Sequence, residues 1–141
     1  MKKDTTGERA IRLHKKYQGK VITDSAVSIT TPKDLSLAYT PGVGAVSSYV
    51  AKNPDSAREL TLKGRSVAVI SDGSAVLGLG NIGPLGALPV LEGKCIIFKK
   101  FAGIDAWPIA LNTQNTDEIV RAIKVIAPGF GGINLEDISA P

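Results

Sequence analysis

Residues 66–83 read SVAVISDGSAVLGLGNIG, and this stretch decides the expected fold. Its first six residues, SVAVIS, are a compact run rich in β-branched side chains, a pattern that predicts a strand over residues 66–71. Asp72-Gly73 indicates a turn, and the glycine-rich segment 73–91 follows it. Further strands are predicted at 95–98 (CIIF), 106–111 (AWPIAL) and 131–135 (GGINL). The second of these belongs at a sheet edge because it contains a proline, Pro108.

Helical patterns precede the first strand. Residues from about 6 to 17 and from about 45 to 52 predict helices, with a short helical turn at 34–38. Asn53 as N-cap and Pro54 at the first helical position predict another short helix that runs through Leu60. Residues 20–30 suggest extended chain.

One more helix is predicted near the end of the chain, with Thr116 as its N-cap and Pro128-Gly129 as its stop signal. Ile119, Ile123 and Ile126 form its apolar stripe. Strands that alternate with helices predict a single α/β domain with a mostly parallel central sheet flanked by helices.

Composition limits the possible functions. The chain has 141 residues, of which 43% are hydrophobic and 21% charged, as expected of one globular domain. Its single cysteine, Cys95, excludes an intramolecular disulfide, and its single histidine, His14, excludes a histidine-rich metal site. The net charge of +4 comes without a long basic run, so no nucleic-acid partner is expected.

The sequence also indicates where the protein is located. The N-terminus lacks the apolar core of a signal peptide. Segment 73–91 is long enough to span a membrane, yet it contains five Gly and two Pro. We therefore expect a soluble, cytoplasmic protein without a membrane partner.

The segment Gly78–Gly83 is a literal G-x-G-x-x-G that follows a strand, as in a dinucleotide-binding site. The context differs from that site, because six residues separate the strand from Gly78 and because Pro84 and Pro89 weaken the helix that should follow. The pattern favours a structural loop, and no cofactor-binding residue is assigned in this chain.

Three other positions in the sequence have side chains that could take part in catalysis or bind a metal. Tyr39 stands in a loop shaped by Pro41 and Gly42 and could act as a general acid, or it could simply pack locally. Lys94, expected at the edge of an apolar strand, could act as a base, or it could be an exposed lysine. Glu136-Asp137 follow a predicted strand, where the turning backbone lets both carboxylates bind Mg²⁺ or Mn²⁺. An ordinary solvated acidic pair is the alternative.

Taken together and in order, these blocks resemble malic enzymes of the compact bacterial and archaeal type. The similar segments cover nearly the whole chain and read SLAYTPGV (36–43), VISDGSAVLGLGNIG (69–83), EGK (92–94), FKKFAGID (98–105) and GGINLEDI (131–138). The resemblance implies oxidation of L-malate with NAD or NADP, followed by decarboxylation to pyruvate and CO₂. The chain would be the N-terminal, malate- and metal-binding domain over residues 1–141.

The resemblance also implies roles for individual residues. Tyr39 matches the general acid that protonates enolpyruvate, and Lys94 matches the general base that removes the malate hydroxyl proton. Glu136 and Asp137 match two protein ligands of a divalent metal, Mg²⁺ or Mn²⁺. GLGNIG would belong to this substrate domain. The NAD(P)-binding domain and the third metal ligand would be absent from the chain, so that the chain alone is expected to be inactive.

Two points of the resemblance stay open. Larger malic enzymes have an arginine that grips malate at the position of Ala75, and Asn81 is a guess for its replacement. The resemblance also implies a homodimer, in which Lys94 could serve either its own site or its partner's. A non-catalytic binding or dimerisation module of the same fold is the alternative function.

Overall fold

The computed structural model describes residues 5–140. No helix within that range is long and apolar enough to cross a membrane. The α-helices are α1 (Thr6–Tyr17), α2 (Pro32–Ala38), α3 (Gly42–Lys52), α4 (Ala57–Leu60), α5 (Gly83–Ala102) and α6 (Thr116–Ile126). The strands are β1 (Ser66–Ser71), β2 (Asp105–Ala110) and β3 (Gly132–Leu135). Short 3₁₀ turns lie at Pro54–Ser56, Leu62–Arg65 and Ala127–Gly129.

The sheet is parallel throughout, with the strand order β2-β1-β3. Five of the six residues of its central strand β1 are buried, and Val69 and Ile70 are completely so. This is the burial expected of a parallel strand with neighbours on both sides. The predicted α/β class and the strand at 66–71 are confirmed. Pro108 does lie in an edge strand, β2, where its missing N–H costs no hydrogen bond to a further strand.

The strand predicted at residues 95–98 is wrong. These residues lie inside α5, a helix of 20 residues that also takes up residues 83–91 of the glycine-rich segment. Ala87, Leu91 and Cys95 recur every four residues on the face that α5 buries, and Leu91 and Cys95 pack with Val69 and Ala106 in the core. A short apolar run cannot distinguish a strand from a buried helix.

The two prolines of α5 explain why a helix was not expected there. Pro84 is the second residue of the helix, where a backbone N–H has no partner within the helix. Pro89 lies in the interior and removes one helical hydrogen bond. Burial of the apolar face against the sheet offsets that loss, because each fully buried large side chain contributes about 1.5–3 kcal/mol.

Cys95 is a buried core residue, as predicted, although it lies on a helix rather than a strand. Burial raises the pKa of its thiol to about 11, and the nearby negative charge of Glu92 adds to the shift. The thiol is therefore neutral at physiological pH and acts as a small apolar side chain.

Capping explains where several helices begin. Thr5 and Glu8 form a reciprocal capping box at the start of α1, and Thr31 and Asp34 form another at the start of α2.

The predicted helix at 6–17 is confirmed, and α3 begins at Gly42, three residues earlier than expected. Residues 20–30 form neither helix nor strand.

One predicted cap is confirmed in position and one is wrong. Asn53 is the N-cap of the 3₁₀ turn Pro54–Ser56, and α4 continues the helical stretch through Leu60 as predicted. The side chain of Asn53 makes no capping bond there, because its amide donates back to the carbonyl oxygen of Tyr49 at 3.0 Å. At α6 the N-cap is Asn115, whose Oδ1 accepts from the backbone N–H groups of Asp117 at 3.0 Å and Glu118 at 3.1 Å. Asn115 accepts both bonds because a cap must stand outside the helix, and Thr116 is already its first residue.

Candidate active site

The acidic pair Glu136-Asp137 lies where β3 ends, beside the carboxyl end of β1. The N–H of Glu136 donates to the carbonyl oxygen of Ile70 at 2.8 Å, and the carbonyl oxygen of Asp137 accepts from the N–H of Ala75 at 3.1 Å. Asp137 has a left-handed backbone, with φ of 52°. The backbone therefore turns at this pair, as the sequence predicted.

The segment after β3 is hydrogen-bonded to the turn that follows β1. Beyond the two bonds of the acidic pair, the N–H of Ser139 donates to the hydroxyl of Ser74 at 2.8 Å. Ser74 in turn donates its hydroxyl to the buried carboxylate of Asp72 at 2.7 Å. The turn after β1 thus holds residues 136–139 in place.

Lys94 and Glu136 meet at this edge. The distance between Lys94 Nζ and Glu136 Oε2 is 3.2 Å, and both side chains are only partly exposed. The side-chain amide of Asn134 donates to the same oxygen at 3.1 Å. Lys94 lies on α5 and not on a strand as predicted, so it reaches the end of β3 from the helix packed on the sheet.

The chain near Lys94 is also bound to the N-terminal segment. The backbone N–H of Lys20 donates to Glu92 Oε2 at 3.0 Å, and its ammonium donates to the carbonyl oxygen of Pro89 at 2.6 Å. Gly19 has φ of 110°, and a Cβ there would lie 2.7 Å from Glu92 Oε1. Glycine has no Cβ, so it adopts this positive φ without strain and avoids the contact with Glu92 Oε1. Its close approach anchors residues 19–20 on α5.

Tyr39 belongs to a different segment from the lysine and the acidic pair. It follows α2, and its carbonyl oxygen accepts from the N–H of Val43 at 2.6 Å. Its side chain is 65% exposed, beside a cis peptide bond between Thr40 and Pro41. Within residues 5–140 no hydrogen bond joins the phenol to Lys94 or to Glu136. Of the four predicted site residues, Lys94 and Glu136 are in direct contact, and Asp137 is the residue after Glu136.

The acidic pair has the chemistry that Mg²⁺ or Mn²⁺ requires. Both side chains offer hard oxygen donors. Glu136 Oε1 and the carboxylate of Asp137 accept no hydrogen bond from the part of the chain that is described. No group of three or more His, Cys, Asp or Glu side chains in residues 5–140 could hold a metal. The chain therefore supplies two adjacent carboxylates, and water or other groups would complete the shell.

The GLGNIG segment forms a compact turn before α5. The N–H groups of Ile82 and Gly83 donate to the carbonyl oxygen of Gly73 at 3.0 and 3.2 Å, and that of Gly80 donates to Val76 at 2.8 Å. In a dinucleotide site, amides at this position would face the pyrophosphate. Their engagement within the turn supports a structural role for the glycines.

Asn81 and Ala75 occupy the two positions that the sequence left open. Asn81 forms a reciprocal amide pair with Gln114, with distances of 3.1 and 3.0 Å, and this pair links the turn before α5 to the loop after β2. Ala75 is exposed next to the acidic pair, where its N–H contacts Asp137. Sequence reasoning missed Gln114 and Asn134. The spacing of Asn134 and Glu136, two residues apart and so on one face of a strand, could have revealed the latter.

The fold and this edge of the sheet define a class: a parallel α/β domain that presents a lysine and two carboxylates where its strands end. The family model described as "Malic enzyme, N-terminal domain" matches residues 16–141. The chain belongs to the malic enzyme family and forms its N-terminal domain.

Individual relatives agree with this assignment. The bifunctional malic/malolactic enzyme of Bacillus subtilis is 54% identical over 134 residues, which are 95% of this chain and 33% of that protein. The NAD-dependent malic enzyme of Geobacillus stearothermophilus is 58% identical over 123 residues, or 87% of this chain and 26% of that protein. The crystal structure of the malic enzyme from Pyrococcus horikoshii matches with a TM-score of 0.94 and 48% identity, over 97% of this chain and 32% of that one. The chain thus spans about a third or less of these relatives.

Proposed function

We propose that residues 1–141 are the substrate-side domain of a cytoplasmic malic enzyme, which oxidises L-malate with NAD or NADP and decarboxylates the product to pyruvate and CO₂. The observation that carries the proposal is the 3.2 Å ion pair between Lys94 and Glu136. It joins a base and a metal-binding carboxylate at the carboxyl edge of a parallel sheet, where ligands of open α/β sheets bind. The relatives named above include an NAD-dependent malic enzyme, and other relatives are NADP-dependent.

In this proposal each residue has one task. In its neutral amine form Lys94 accepts the proton of the malate hydroxyl as general base, and Tyr39 donates a proton to the enolpyruvate carbon as general acid. Glu136 and Asp137 hold Mg²⁺ or Mn²⁺ through the oxygens that accept no protein hydrogen bond within residues 5–140. A bound cation supplies Lewis-acid polarisation of the substrate oxygens. The nicotinamide cofactor binds outside these 141 residues.

The alternative is a non-catalytic binding or dimerisation module with the same fold. A fusion experiment separates the two. The 141-residue chain alone, mixed with malate, Mn²⁺ and NAD or NADP, is expected to produce no reduced cofactor at 340 nm. The same chain joined to the remaining part of the Geobacillus enzyme is expected to reduce NAD in proportion to malate. Activity of the isolated chain would contradict the incomplete site, and a folded but inactive fusion would favour the module.

We also propose that the chain forms a homodimer. In the described residues no side chain of α1, α2, α3 or α4 is buried. Leu37 is 78% exposed on α2 and Tyr49 is 56% exposed on α3, and other apolar side chains of the same helices are also exposed. A small domain that exposes this much apolar surface gains stability when a second copy covers it.

Sedimentation equilibrium tests the dimer. The chain is expected to sediment as a dimer, and Leu37→Glu is expected to shift it toward monomer, because a carboxylate would be buried in the interface. Val125→Glu, on the 73% exposed position of α6, is the matched control and should leave the dimer intact. A monomer at high protein concentration, or an equal effect of both variants, would contradict the proposed interface.

A further inference from the structure

Asn134 stands next to the reacting groups without a role in the scheme above. It lies in β3, two residues before Glu136, and the pairing of Val69 with Asn134 and of Ile70 with Leu135 fixes its place in the sheet. Glu136 follows the last residue of β3, and the bond from its N–H to the carbonyl oxygen of Ile70 extends the pairing with β1 by one residue. Alternate residues of a strand project to the same face, so Asn134 and Glu136 are neighbours. The 3.1 Å bond between them is thus set by the backbone of the sheet.

The chemistry decides which end of the amide faces Glu136. An ionised carboxylate only accepts hydrogen bonds, and of the two polar atoms of the amide only Nδ2 donates. Nδ2 therefore points at Glu136 Oε2, which also receives Lys94 Nζ at 3.2 Å. Glu136 Oε1 accepts no hydrogen bond from any residue between 5 and 140. The two oxygens of one carboxylate thus have different surroundings.

Lys94 alone would not create this difference. Its ammonium is a point charge on a flexible stem with three rotatable donors, and it attracts either carboxylate oxygen equally well. The last torsion of a glutamate side chain is broad, so the carboxylate rotates with little cost. Asn134 is planar, has a short side chain and stands on a strand. Asn134 is therefore the group that determines which oxygen of Glu136, Oε2, lies toward Lys94.

We propose that Asn134 is a positioning residue of the metal site. It holds Glu136 with Oε2 toward Lys94 and keeps Oε1 available for the divalent cation. The inference rests on the proposed function, in which Glu136 is a metal ligand. Residues that orient a ligating carboxylate typically change metal affinity by about 10–100-fold when they are replaced.

The test is a titration with Mn²⁺ alone of the fusion enzyme described above, in which this chain is joined to the remaining part of the Geobacillus enzyme. The EPR signal of free Mn²⁺ measures how much of the ion stays unbound, at total concentrations up to the millimolar range. Asn134→Leu keeps the approximate shape and removes the donor, and we expect it to weaken Mn²⁺ binding about tenfold or more. Asn134→Gln keeps the amide and is expected to recover part of the affinity. Asn53→Leu is the matched control, because it removes an amide that bonds only at the end of α3.

Thermal unfolding shows whether each variant is folded, and Glu136→Gln separates the possible failures. If Glu136→Gln weakens Mn²⁺ binding while a folded Asn134→Leu does not, the positioning role is wrong and the metal site stands. If the unmodified fusion and its Glu136→Gln variant bind Mn²⁺ equally, or neither binds it, the metal-binding role of Glu136 fails and the inference fails with it. Affinity lost in Asn134→Leu but not regained at all in a folded Asn134→Gln would also overturn the role of the amide.

Discussion

Lys94→Ala, introduced into the active fusion enzyme, is expected to lower kcat by a factor on the order of 10²–10⁴, which is the usual contribution of a general acid or base. Lys94 Nζ is one of the two groups in residues 5–140 that contact Glu136 Oε2, and alanine removes both the proposed proton acceptor and that contact. Tyr39→Phe is expected to cause a loss of the same order, because phenylalanine cannot donate a proton. Steady-state reduction of NAD measures both effects.

Matched controls come from the same chain. Lys99→Ala removes another lysine of α5, one that pairs with Asp105 at 2.6 Å away from Glu136. Tyr17→Phe removes another exposed phenol, at the end of α1. Both controls should keep kcat within a few-fold of the unmodified fusion. Near-normal rates in Lys94→Ala and Tyr39→Phe would show that the proposed catalytic roles are wrong.

Gly73→Ala is expected to destabilise the domain by about 3 kcal/mol or more. Gly73 is buried, has φ of 72°, and an added Cβ would collide with the backbone carbonyl group of Gly83. That carbonyl belongs to the turn that leads into α5, and the carbonyl oxygen of Gly73 itself receives the N–H groups of Ile82 and Gly83. Alanine would therefore add left-handed backbone strain and force the turn open.

Gly103→Ala separates these two effects. Gly103 also has a positive φ, 68°, but a Cβ there would meet no atom within 4 Å. It should cost only the backbone strain, about 1–2 kcal/mol. Urea unfolding of the two variants gives the comparison. Equal losses of unfolding free energy would mean that the approach of Gly73 to Gly83 is not tight in solution.

The elements that were predicted correctly are those whose sequence pattern lies within the element itself. The apolar run 66–71 and the stripe of Ile119, Ile123 and Ile126 were enough for β1 and α6. Helix α5 was missed over residues 95–98, because glycines and prolines are unfavourable for a helix in isolation and only burial against β1 and β2 compensates for them. No local signal reports that burial.

In the candidate site, too, the feature that depends on local sequence was predictable, and the contact that depends on packing was not. The turn of the backbone at Glu136-Asp137 was predictable, since the pair directly follows an apolar run that ends in the sheet. The contact of Glu136 with Lys94 joins residues 42 positions apart, on a strand and on a helix, and depends on how α5 packs. Tyr39 is exposed in the loop after α2, and its catalytic role is a prediction that the proposed enzyme assays decide.

The position of β1 in the middle of the sheet has a consequence for biosynthesis. Both of its neighbours, β2 and β3, come later in the chain, and β3 occupies residues Gly132–Leu135. During translation β1 emerges first, with both of its hydrogen-bonding edges open, and an open apolar edge is a template for pairing with other chains. The sheet can close only after residue 135 has left the ribosome. Nascent chains that stall between β2 and β3 are therefore the species most exposed to aggregation and to chaperone binding.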